Sequence, residues 1–251
     1  MIRYQNVGGG GNLLAHNKGF TLAEVLVTLG IIGVVSAMTI PTLMQNHQRK
    51  TYVTQFHKVY NEIQQASLQY MSDHNALNLR EAGLNSRAKV GEFFNNYFKV
   101  VNTCEEGDVR TPCLASEYRS IDGTSELKNF SGWGAAYCVT LASGASILLD
   151  HPALYTLTVN GVNSYYGHVV IDVNGSAGPN IGGRDVFRLE FYDDGSLDVL
   201  GATPECKSKG VCNGQSLTKI RENLYNSNCF KNYSGYGCIG KILNDNWEMN
   251  Y

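Results

Sequence analysis

A long apolar run near the N-terminus constrains this chain more than any other feature. Residues 20–40 form 21 consecutive positions rich in Leu, Val and Ile. A helix rises about 1.5 Å per residue, so the run would measure about 31 Å, close to the thickness of a bilayer's hydrocarbon core. It therefore predicts a membrane-spanning helix, although one acidic side chain, Glu24, lies within it.

Three interpretations of this run compete. The first is a secretory signal peptide cleaved near Ala37, but its apolar region is overlong and contains a carboxylate. The second is an ordinary membrane anchor, which leaves Glu24 unexplained because a carboxylate within the bilayer costs about 2.5–3.5 kcal/mol. The third is a helix whose Glu24 has a designated cationic partner. Beyond the run, Pro41 is expected to interrupt or kink the helix because it lacks an N–H donor.

The stretch GFTLAE at residues 19–24, followed by VLVTLGIIG at 25–33, resembles the leader-cleavage motif of type IV pilins and type II secretion pseudopilins. The resemblance implies that a membrane prepilin peptidase cuts after Gly19 on the cytoplasmic side. The new N-terminal residue, Phe20, would then be methylated. Glu24 would become the fifth residue of the processed chain. Pro41 would become the twenty-second, where the family often has a helix-bending proline.

The same resemblance implies a function. Cleavage leaves a cationic amine on Phe20, and an amine attracts a carboxylate strongly in a low-dielectric medium. The amine of an incoming copy can therefore pair with Glu24 of its neighbour and set the register of assembly. The predicted function is a structural subunit, a pilin or pseudopilin, of a type IV-like filament. It would be assembled by helix packing in the inner membrane for secretion, pilus formation or DNA uptake.

The expected partners are further copies and other pilin-like subunits, the prepilin peptidase, the inner-membrane platform with its assembly ATPase, and membrane lipids before assembly. Nucleic acid is not indicated, because the net charge is −2 and a general nucleic-acid binder carries a basic patch. One alternative is a minor tip pilin that acts as an adhesin or substrate-binding module. Another is a monomeric exported binding protein whose signal peptide is cleaved.

The predicted organisation has four parts. Residues 1–19 form a cleaved leader, 20–41 a transmembrane and assembly helix, 42–75 an amphipathic helix, and 76–251 an extracytoplasmic α+β pilin-like domain. The expected location is the inner membrane, crossed once, and later a filament in the periplasm or on the cell surface. Basic residues flank the apolar run on both sides, so charge does not orient it. All seven cysteines follow the run, which favours an oxidising compartment for the C-terminal part.

Six of these cysteines are disulfide candidates. Spacing favours neighbours as partners, although sequence cannot establish the connectivity: Cys104 with Cys113, Cys206 with Cys212, and Cys229 with Cys238. The remaining Cys138 is expected to be buried and reduced. A zinc site is disfavoured because the chain has no Cys-x-x-Cys pair and no accompanying histidine cluster.

The predicted fold is α+β: a long N-terminal helix, membrane-spanning in its first half and amphipathic in its second, packed on a small antiparallel β-sheet with disulfide-rich C-terminal loops. Apolar residues at steps of three and four predict the buried helical face: Tyr52, Phe56, Val59, Ile63, Ala66 and Tyr70. A short helix is expected at 91–101. Short antiparallel strands are expected from six segments, 136–141, 145–149, 155–159, 168–173, 185–192 and 197–200, with turns at Ser143-Gly144, Asn160-Gly161 and Asp194-Gly195.

A second block, HVVIDVNG at residues 168–175 with GPN at 178–180 and GRDVF at 183–187, also resembles pseudopilin-like proteins. Some proteins of that kind bind calcium in a loop of this domain. The block offers four hard oxygen ligands of the type that Ca²⁺ prefers: Asp172, Asn174, Asn180 and Asp185. The competing interpretation is that they are turn residues whose carboxylates hold backbone donors. We expect that the protein requires no cofactor. Ca²⁺ is the ion that these four residues could bind.

Catalysis is not expected. Cys138, Asp150 and His151 could supply a nucleophile, an orienting group and a base, but no hydrolase-like motif surrounds them. The C-terminal stretch from residue 201 is rich in cysteine and aromatic residues. Its aromatic side chains could bind a partner or a glycan, or could cover the sheet edge: Tyr225, Tyr233, Tyr236, Trp247 and Tyr251.

Overall fold

The computed structural model describes residues 19–104, 112–127, 136–230 and 236–251. The predicted leader therefore lies outside the described residues, apart from Gly19 at its end. The chain divides into two compact units, residues 1–46 and residues 47–251. Each unit is described here by itself.

The first helix, α1 (Leu22–Asp73), has 52 residues and contributes to both units. The helix is not interrupted at Pro41, which was one of the two outcomes expected there, because it continues through this residue. A proline removes one donor from the hydrogen-bond ladder, and the turns on either side keep theirs. The helix ends where Asn75 adopts the left-handed conformation, with φ 49°. The N–H of Ala76 then donates to the carbonyl of Met71 at 3.0 Å and satisfies part of the helix end.

In the second unit, the predicted apolar face of α1 is confirmed as a buried face. Phe56, Val59, Ile63, Ala66 and Tyr70 are all buried. The hydroxyl of Tyr60 donates to the carbonyl of Leu197 at 2.8 Å, so this face also makes a buried polar contact with the sheet.

The described residues form a main sheet of seven strands in which every pair is antiparallel. The strand order is β1-β2-β3-β5-β6-β7, and β4 pairs with β5. The strands are β1 (Val100–Thr103), β2 (Tyr137–Leu141), β3 (Ser146–Leu149), β4 (Tyr155–Val159), β5 (Val162–Asp172), β6 (Val186–Tyr192) and β7 (Leu197–Asp198).

The expected set of strands is wrong in two places. The helix expected at 91–101 is α2 (Arg87–Tyr97), and the residues that follow it form β1. Strand β5 begins at Val162 rather than at residue 168 and pairs with β4 through its first half. Both missed segments carry polar or exposed side chains, so their strand conformation depends on cross-strand pairing more than on an apolar pattern.

The three predicted turns join neighbouring strands. The β4–β5 turn at Asn160-Gly161 has positive φ at both residues, 53° and 76°, as a tight hairpin turn requires. Gly195 joins β6 to β7 with φ 83°, and a Cβ added there would lie 2.7 Å from the Cβ of Ser67 on α1. A glycine is therefore needed at this turn both for its conformation and for its close packing.

Different elements pack against the two faces of the main sheet. One face packs with α1, α2 and the C-terminal helix α5 (Cys238–Asn244) in the largest apolar cluster, which includes Ile147, Ile171 and Phe187. The opposite face carries Cys138, Leu148, Val170 and Val186, which cluster with Cys113, Leu114, Ala115, Tyr118 and Leu127. We call residues 112–127 the cover segment.

The C-terminal region contains disulfides, as expected, but much of it forms short helices and a small ribbon rather than loops. Its elements are α3 (Pro204–Lys209), β8 (Val211–Cys212), β9 (Gln215–Ser216), α4 (Leu217–Leu224), a π-helical turn (Tyr225–Cys229) and α5. Buried Asp198 of β7 accepts from Arg221 of α4 at 2.6 and 3.0 Å. The ion pair fastens α4 to the sheet.

Candidate functional site

The start of α1 is organised around Glu24. Its Oε2 accepts from the backbone N–H of Thr21 at 2.8 Å and from the Thr21 hydroxyl at 2.9 Å. In return, the backbone N–H of Glu24 donates to Oγ1 of Thr21 at 3.2 Å. This reciprocal arrangement is a capping box, in which two otherwise unsatisfied donors at a helix N-terminus find partners.

Thr21 is the functional-site residue that the sequence interpretation missed. The Thr-x-x-Glu spacing of residues 21–24 was a readable signal, since it defines a capping box directly before an apolar run. The contact gives the acidic side chain a local role at the helix N-terminus, where negative charge is favourable. It does not supply a counter-charge for the carboxylate.

The peptide bond expected to be cleaved lies ahead of this cap. Gly19 and Phe20 precede the first helical residue, and the Phe20 side chain is 88% exposed. A peptidase needs an accessible, non-helical peptide, and this segment has both properties.

The apolar part of α1 is exposed. Among the described residues, this is the one helix long and apolar enough to cross a membrane, and none of its most apolar 18-residue window is buried. A core helix of a soluble domain would be mostly buried, so this segment is not one. A Cβ added at Gly30 or Gly33 would have no neighbouring atom within 4 Å, which leaves the helix surface open for close approach by another helix.

Residues 14–40 match the family model of the prokaryotic N-terminal methylation motif. The chain carries the signature of type IV pilins and pseudopilins. The match covers the predicted cleavage position, the capping box and the whole apolar run of residues 20–40. Comparison with curated proteins and with solved structures gave no match.

The signature is that of a pilin-like or pseudopilin precursor, which is a structural type of protein rather than an enzyme. It implies assembly into filaments with other pilin-like subunits and processing by a prepilin peptidase. Together with the single exposed apolar helix, it is consistent with a membrane-anchored pilin.

The four candidate calcium ligands lie around one loop between β5 and β6. Both oxygens of Asp185 accept backbone donors, from Asn180 at 2.8 Å and Ile181 at 2.7 Å. Oδ2 of Asp172 accepts from the Tyr118 hydroxyl at 2.6 Å, and Oδ1 accepts from the backbone N–H of Asn174 at 3.3 Å. The carboxylates therefore hold turn donors, as the competing interpretation predicted.

The same loop also contains amide oxygens that have no hydrogen-bond partner among the described residues. The Oδ1 atoms of Asn174 and Asn180 are buried and accept no hydrogen bond from the described residues. Burial, and secondarily the charge of Asp185, raises the pKa of Asp172 to about 8, and burial also raises the pKa of Asp185. Buried amide and carboxyl oxygens are the types of ligand that Ca²⁺ prefers, and all four residues lie around one loop. We propose that this loop can bind Ca²⁺ through these four residues.

Six cysteines form three disulfides between neighbours in sequence: Cys104–Cys113, Cys206–Cys212 and Cys229–Cys238. Cys138 is free and buried. Its sulfur and those of Cys104 and Cys113 all lie within 4.8 Å of one another. Because two of the three are joined in a disulfide, only one thiol is left at this point, which does not suit a metal–thiolate site.

The catalytic combination considered above is not assembled. Oδ1 of Asp150 and Nδ1 of His151 are both buried without a hydrogen-bond partner among the described residues. Burial raises the pKa of Asp150 to about 6 and lowers the pKa of His151. A different histidine contacts a carboxylate: Nδ1 of His168 lies 2.5 Å from Oε2 of Glu190.

The C-terminal aromatic residues within the described part of the chain mostly make internal contacts. Trp247 stacks on His57 of α1 with ring centroids 3.8 Å apart. The hydroxyl of Tyr236 donates to Glu190 at 2.7 Å, and that of Tyr251 donates to the carbonyl of Gly183 at 2.7 Å. Tyr225 contacts the rings of Phe230 and Tyr251, and Tyr233 lies outside the described residues.

A cleft of about 500 Å³ lies beside the second half of α1. Its lining combines both charges with amide side chains: Lys58, Glu62, Gln65, Gln69 and Lys99, among others. This cleft could receive a polar ligand or a peptide.

Proposed function

We propose that this chain is a structural subunit of a type IV-like filament, a pilin or pseudopilin. It is inserted in the inner membrane and processed after Gly19, and Phe20 is then methylated. Further copies and other pilin-like subunits pack through residues 20–41, with an inner-membrane platform and an assembly ATPase as the machinery. The filament serves protein secretion, pilus formation or DNA uptake.

The observation that carries the proposal is the exposed apolar surface of residues 22–44 joined to the methylation signature. Large apolar side chains along this segment are mostly more than half exposed, among them Leu26, Ile32 and Met38. Burying one such side chain contributes roughly 1.5–3 kcal/mol. Exposing a dozen such side chains to water would cost a large free energy, so lipid or neighbouring copies must cover them.

Glu24 gives this segment its register. The capping box satisfies its hydrogen bonds within the chain, and the negative charge remains. Cleavage after Gly19 would create an ammonium group on Phe20, one helical turn from Glu24 of the same copy and free to meet Glu24 of another. Methylation preserves that positive charge. A buried ion pair is costly to break by removing one partner, so it selects one alignment of neighbouring helices.

The N-terminus of the protein in purified membranes tests this function directly. Intact-mass measurement and N-terminal sequencing are expected to find N-methyl-Phe20 as the first residue. A chain that starts near Met38 would identify an ordinary signal peptide and overturn the proposal. Retention of residues 1–19 in the working form would overturn it as well, because no ammonium group would then exist near Glu24.

A second candidate is a minor tip subunit that acts as an adhesin or binds exported substrate. The polar cleft beside α1, with Lys58, Glu62 and Lys99 in its lining, is the observation that favours it. The two candidates differ in abundance. A bulk subunit is expected in large excess among the proteins of sheared filaments, and a tip subunit in trace amounts.

A further inference from the structure

The free thiol of Cys138 lies beside a disulfide. Its sulfur is within 4.8 Å of the sulfurs of both Cys104 and Cys113, and all three residues are buried. No third cysteine sulfur joins the disulfides of Cys206 or Cys229 in this way within the described residues. The arrangement concentrates one nucleophile and one disulfide in a single buried site.

Backbone geometry supports a second disulfide at this site. Cys104 directly follows β1, and its N–H donates to the carbonyl of Cys138 on β2 at 3.0 Å. The adjoining residues Thr103 and Val139 are paired across the two strands, so Cys104 and Cys138 face each other. Opposed residues of antiparallel strands have Cα atoms about 4.5–5.5 Å apart, which lies within the range that a disulfide spans.

The third cysteine is held over this strand pair. The sulfur of Cys113 lies 4.0 Å from the carbonyl oxygen of Asn102 on β1 and 3.9 Å from that of Cys138 on β2. The hydroxyl of Ser146 on β3 donates to the carbonyl of Cys113 and fixes the backbone of the cover segment there. The sulfur of Cys113 is therefore positioned close to the sulfurs of both Cys104 and Cys138.

We propose that Cys104, Cys113 and Cys138 form an internal thiol–disulfide exchange site with two disulfide isomers. The thiolate of Cys138 attacks the sulfur of Cys104, and a Cys104–Cys138 bond forms as the Cys104–Cys113 bond breaks. Cys113 leaves as a thiolate and takes up the proton that Cys138 released. One disulfide and one thiol are present before and after, so the step needs no oxidant or reductant.

The exchange changes what the cover segment is attached to. In the first isomer, Cys113 joins this segment covalently to the end of β1. In the second, the disulfide lies within the sheet, and the cover segment is held by non-covalent contacts such as the bond from Tyr118 to Asp172. The isomer thus determines whether a disulfide joins the cover segment to the end of β1.

Exchange is expected to be slow at neutral pH and faster in base. Burial raises the pKa of Cys138 to about 12, so little thiolate exists near pH 7. Below that pKa the thiolate fraction rises about tenfold per pH unit.

Trypsin separates the three cysteines, which makes the isomers measurable. Cleavage at Lys99, Arg110, Arg119, Lys128 and Arg184 places Cys104 in peptide 100–110, Cys113 in 111–119 and Cys138 in 129–184. The oxidised full-length protein is incubated from pH 7 to 9 without reductant, quenched with acid, alkylated in denaturant and digested. Mass spectrometry then shows which cysteine is alkylated and which peptides are linked.

We expect some of the protein to be alkylated at Cys138 and some at Cys113. The fraction alkylated at Cys113 should increase with incubation time, and more quickly at higher pH. The Cys206–Cys212 pair, which has no third thiol, serves as the internal control and keeps one linkage. Cys138→Ser is the matched control variant and is expected to show only Cys104–Cys113. Alkylation of Cys138 alone at every pH would overturn the proposal.

Cys113→Ser provides a second, independent measurement. Its remaining two cysteines at this site are expected to form the Cys104–Cys138 disulfide during export, which leaves no free thiol. A folded variant in which both remain as thiols would contradict the proposal. If the variant does not fold, the pH series on the wild-type chain decides.

Discussion

Residues 22–46 and residues 47–251 are stabilised by different kinds of contact. The first segment has hydrogen bonds that are all local, such as the capping box at Thr21, and leaves its apolar side chains exposed. The second buries a core whose residues range from Val53 to Met249, and its buried Asp198 and Glu190 are paired with specific partners. The difference shows that the first segment depends on its surroundings, whereas the second contains its own stabilising contacts.

The largest expected effect is on solubility when the two regions are separated. A chain that begins at His47 and is exported to an oxidising compartment should be soluble and folded, because the core and the three disulfides lie in residues 47–251. The full chain should be found with membranes. Fractionation and circular dichroism check this outcome, and an insoluble or unfolded 47–251 fragment would show that the second unit is not self-sufficient.

The second prediction concerns Glu24 and separates its charge from its capping role. Glu24→Gln retains a side chain that can complete the capping box and removes the charge, whereas Glu24→Ala removes both. Breaking a buried ion pair costs about 3–5 kcal/mol, and each 1.4 kcal/mol is a factor of about ten. Both variants should therefore be cleaved normally, and their incorporation into filaments should fall by about a hundredfold or more.

Thr21→Val supplies the matched control, because it removes the hydroxyl partner of Glu24 and keeps the charge. Losing a helix N-cap typically costs about 1 kcal/mol, so its incorporation should fall much less. Incorporation is measured by immunoblotting of sheared filaments against the membrane pool. Wild-type incorporation of Glu24→Gln would assign Glu24 to capping and remove the electrostatic basis of assembly.

The sequence predicted the first region better than the second because its signals are contiguous. Gly19 to Glu24 and the apolar run can be read without any partner, since a peptidase and a lipid environment recognise local sequence. Strand β1 could not be found in this way. Its residues Asn102 and Thr103 are exposed, and they are extended because β2 pairs with them across an irregular register. The turns Asn160-Gly161 and Asp194-Gly195 were predictable because glycine and asparagine carry their own conformational preference.

The same distinction holds within the candidate sites. Neighbour pairing of the cysteines followed from spacing, but the approach of Cys138 to Cys113 depends on the β1–β2 pairing and on the cover segment. Likewise, the sequence alone identified Asp172 and Asp185 as candidate oxygen ligands of Ca²⁺. Their burial and the unpaired oxygens of Asn174 and Asn180 result from packing around the loop, which a linear pattern does not contain.

The third prediction compares two apolar residues of the same helix. Phe56 is fully buried against Phe187, with ring centroids 4.6 Å apart, whereas Ile32 is 60% exposed. Phe56→Ala should lower the free energy of unfolding of the second unit by about 3–5 kcal/mol. Ile32→Ala should change it by less than about 0.5 kcal/mol. Denaturant unfolding of the full chain in detergent, followed by near-ultraviolet circular dichroism, checks both, and equal effects would remove the contrast between the regions.

The fourth prediction uses the buried carboxyl of Asp150. Burial raises its pKa to about 6, above its ordinary value, so the folded state binds this proton more tightly than the unfolded state. Its contribution to stability is therefore present below about pH 4 and lost as pH rises through about 6.

Asp150→Asn should be more stable than the wild type by about 1–3 kcal/mol at pH 8, with the difference vanishing near pH 4. Comparing the two proteins at each pH cancels the contributions of other groups, including His151, whose pKa shift acts in the opposite direction. A pH-independent difference between the two proteins would show that Asp150 is ionised normally in the folded state.

The smallest expected effect is that of calcium on the loop between β5 and β6. Calcium would pair with the buried Asp172 and Asp185 and with the unsatisfied oxygens of Asn174 and Asn180. At ten times its Kd, a ligand of the folded state adds about 1.4 kcal/mol, a rise in Tm of about 3–6 °C for a unit of this size. Thermal unfolding of the chelator-treated protein with added Ca²⁺ measures the shift.

Asp185→Asn is the matched variant, since it keeps an oxygen for one backbone donor and removes the charge. It should show no calcium-dependent shift, and Mg²⁺ should have little effect on the wild type because Mg²⁺ requires near-octahedral geometry and gives up its waters reluctantly. The same shift with Mg²⁺, or in Asp185→Asn, would mean that the ion acts elsewhere. In that case Asp172 and Asp185 serve only as acceptors for the donors around this loop.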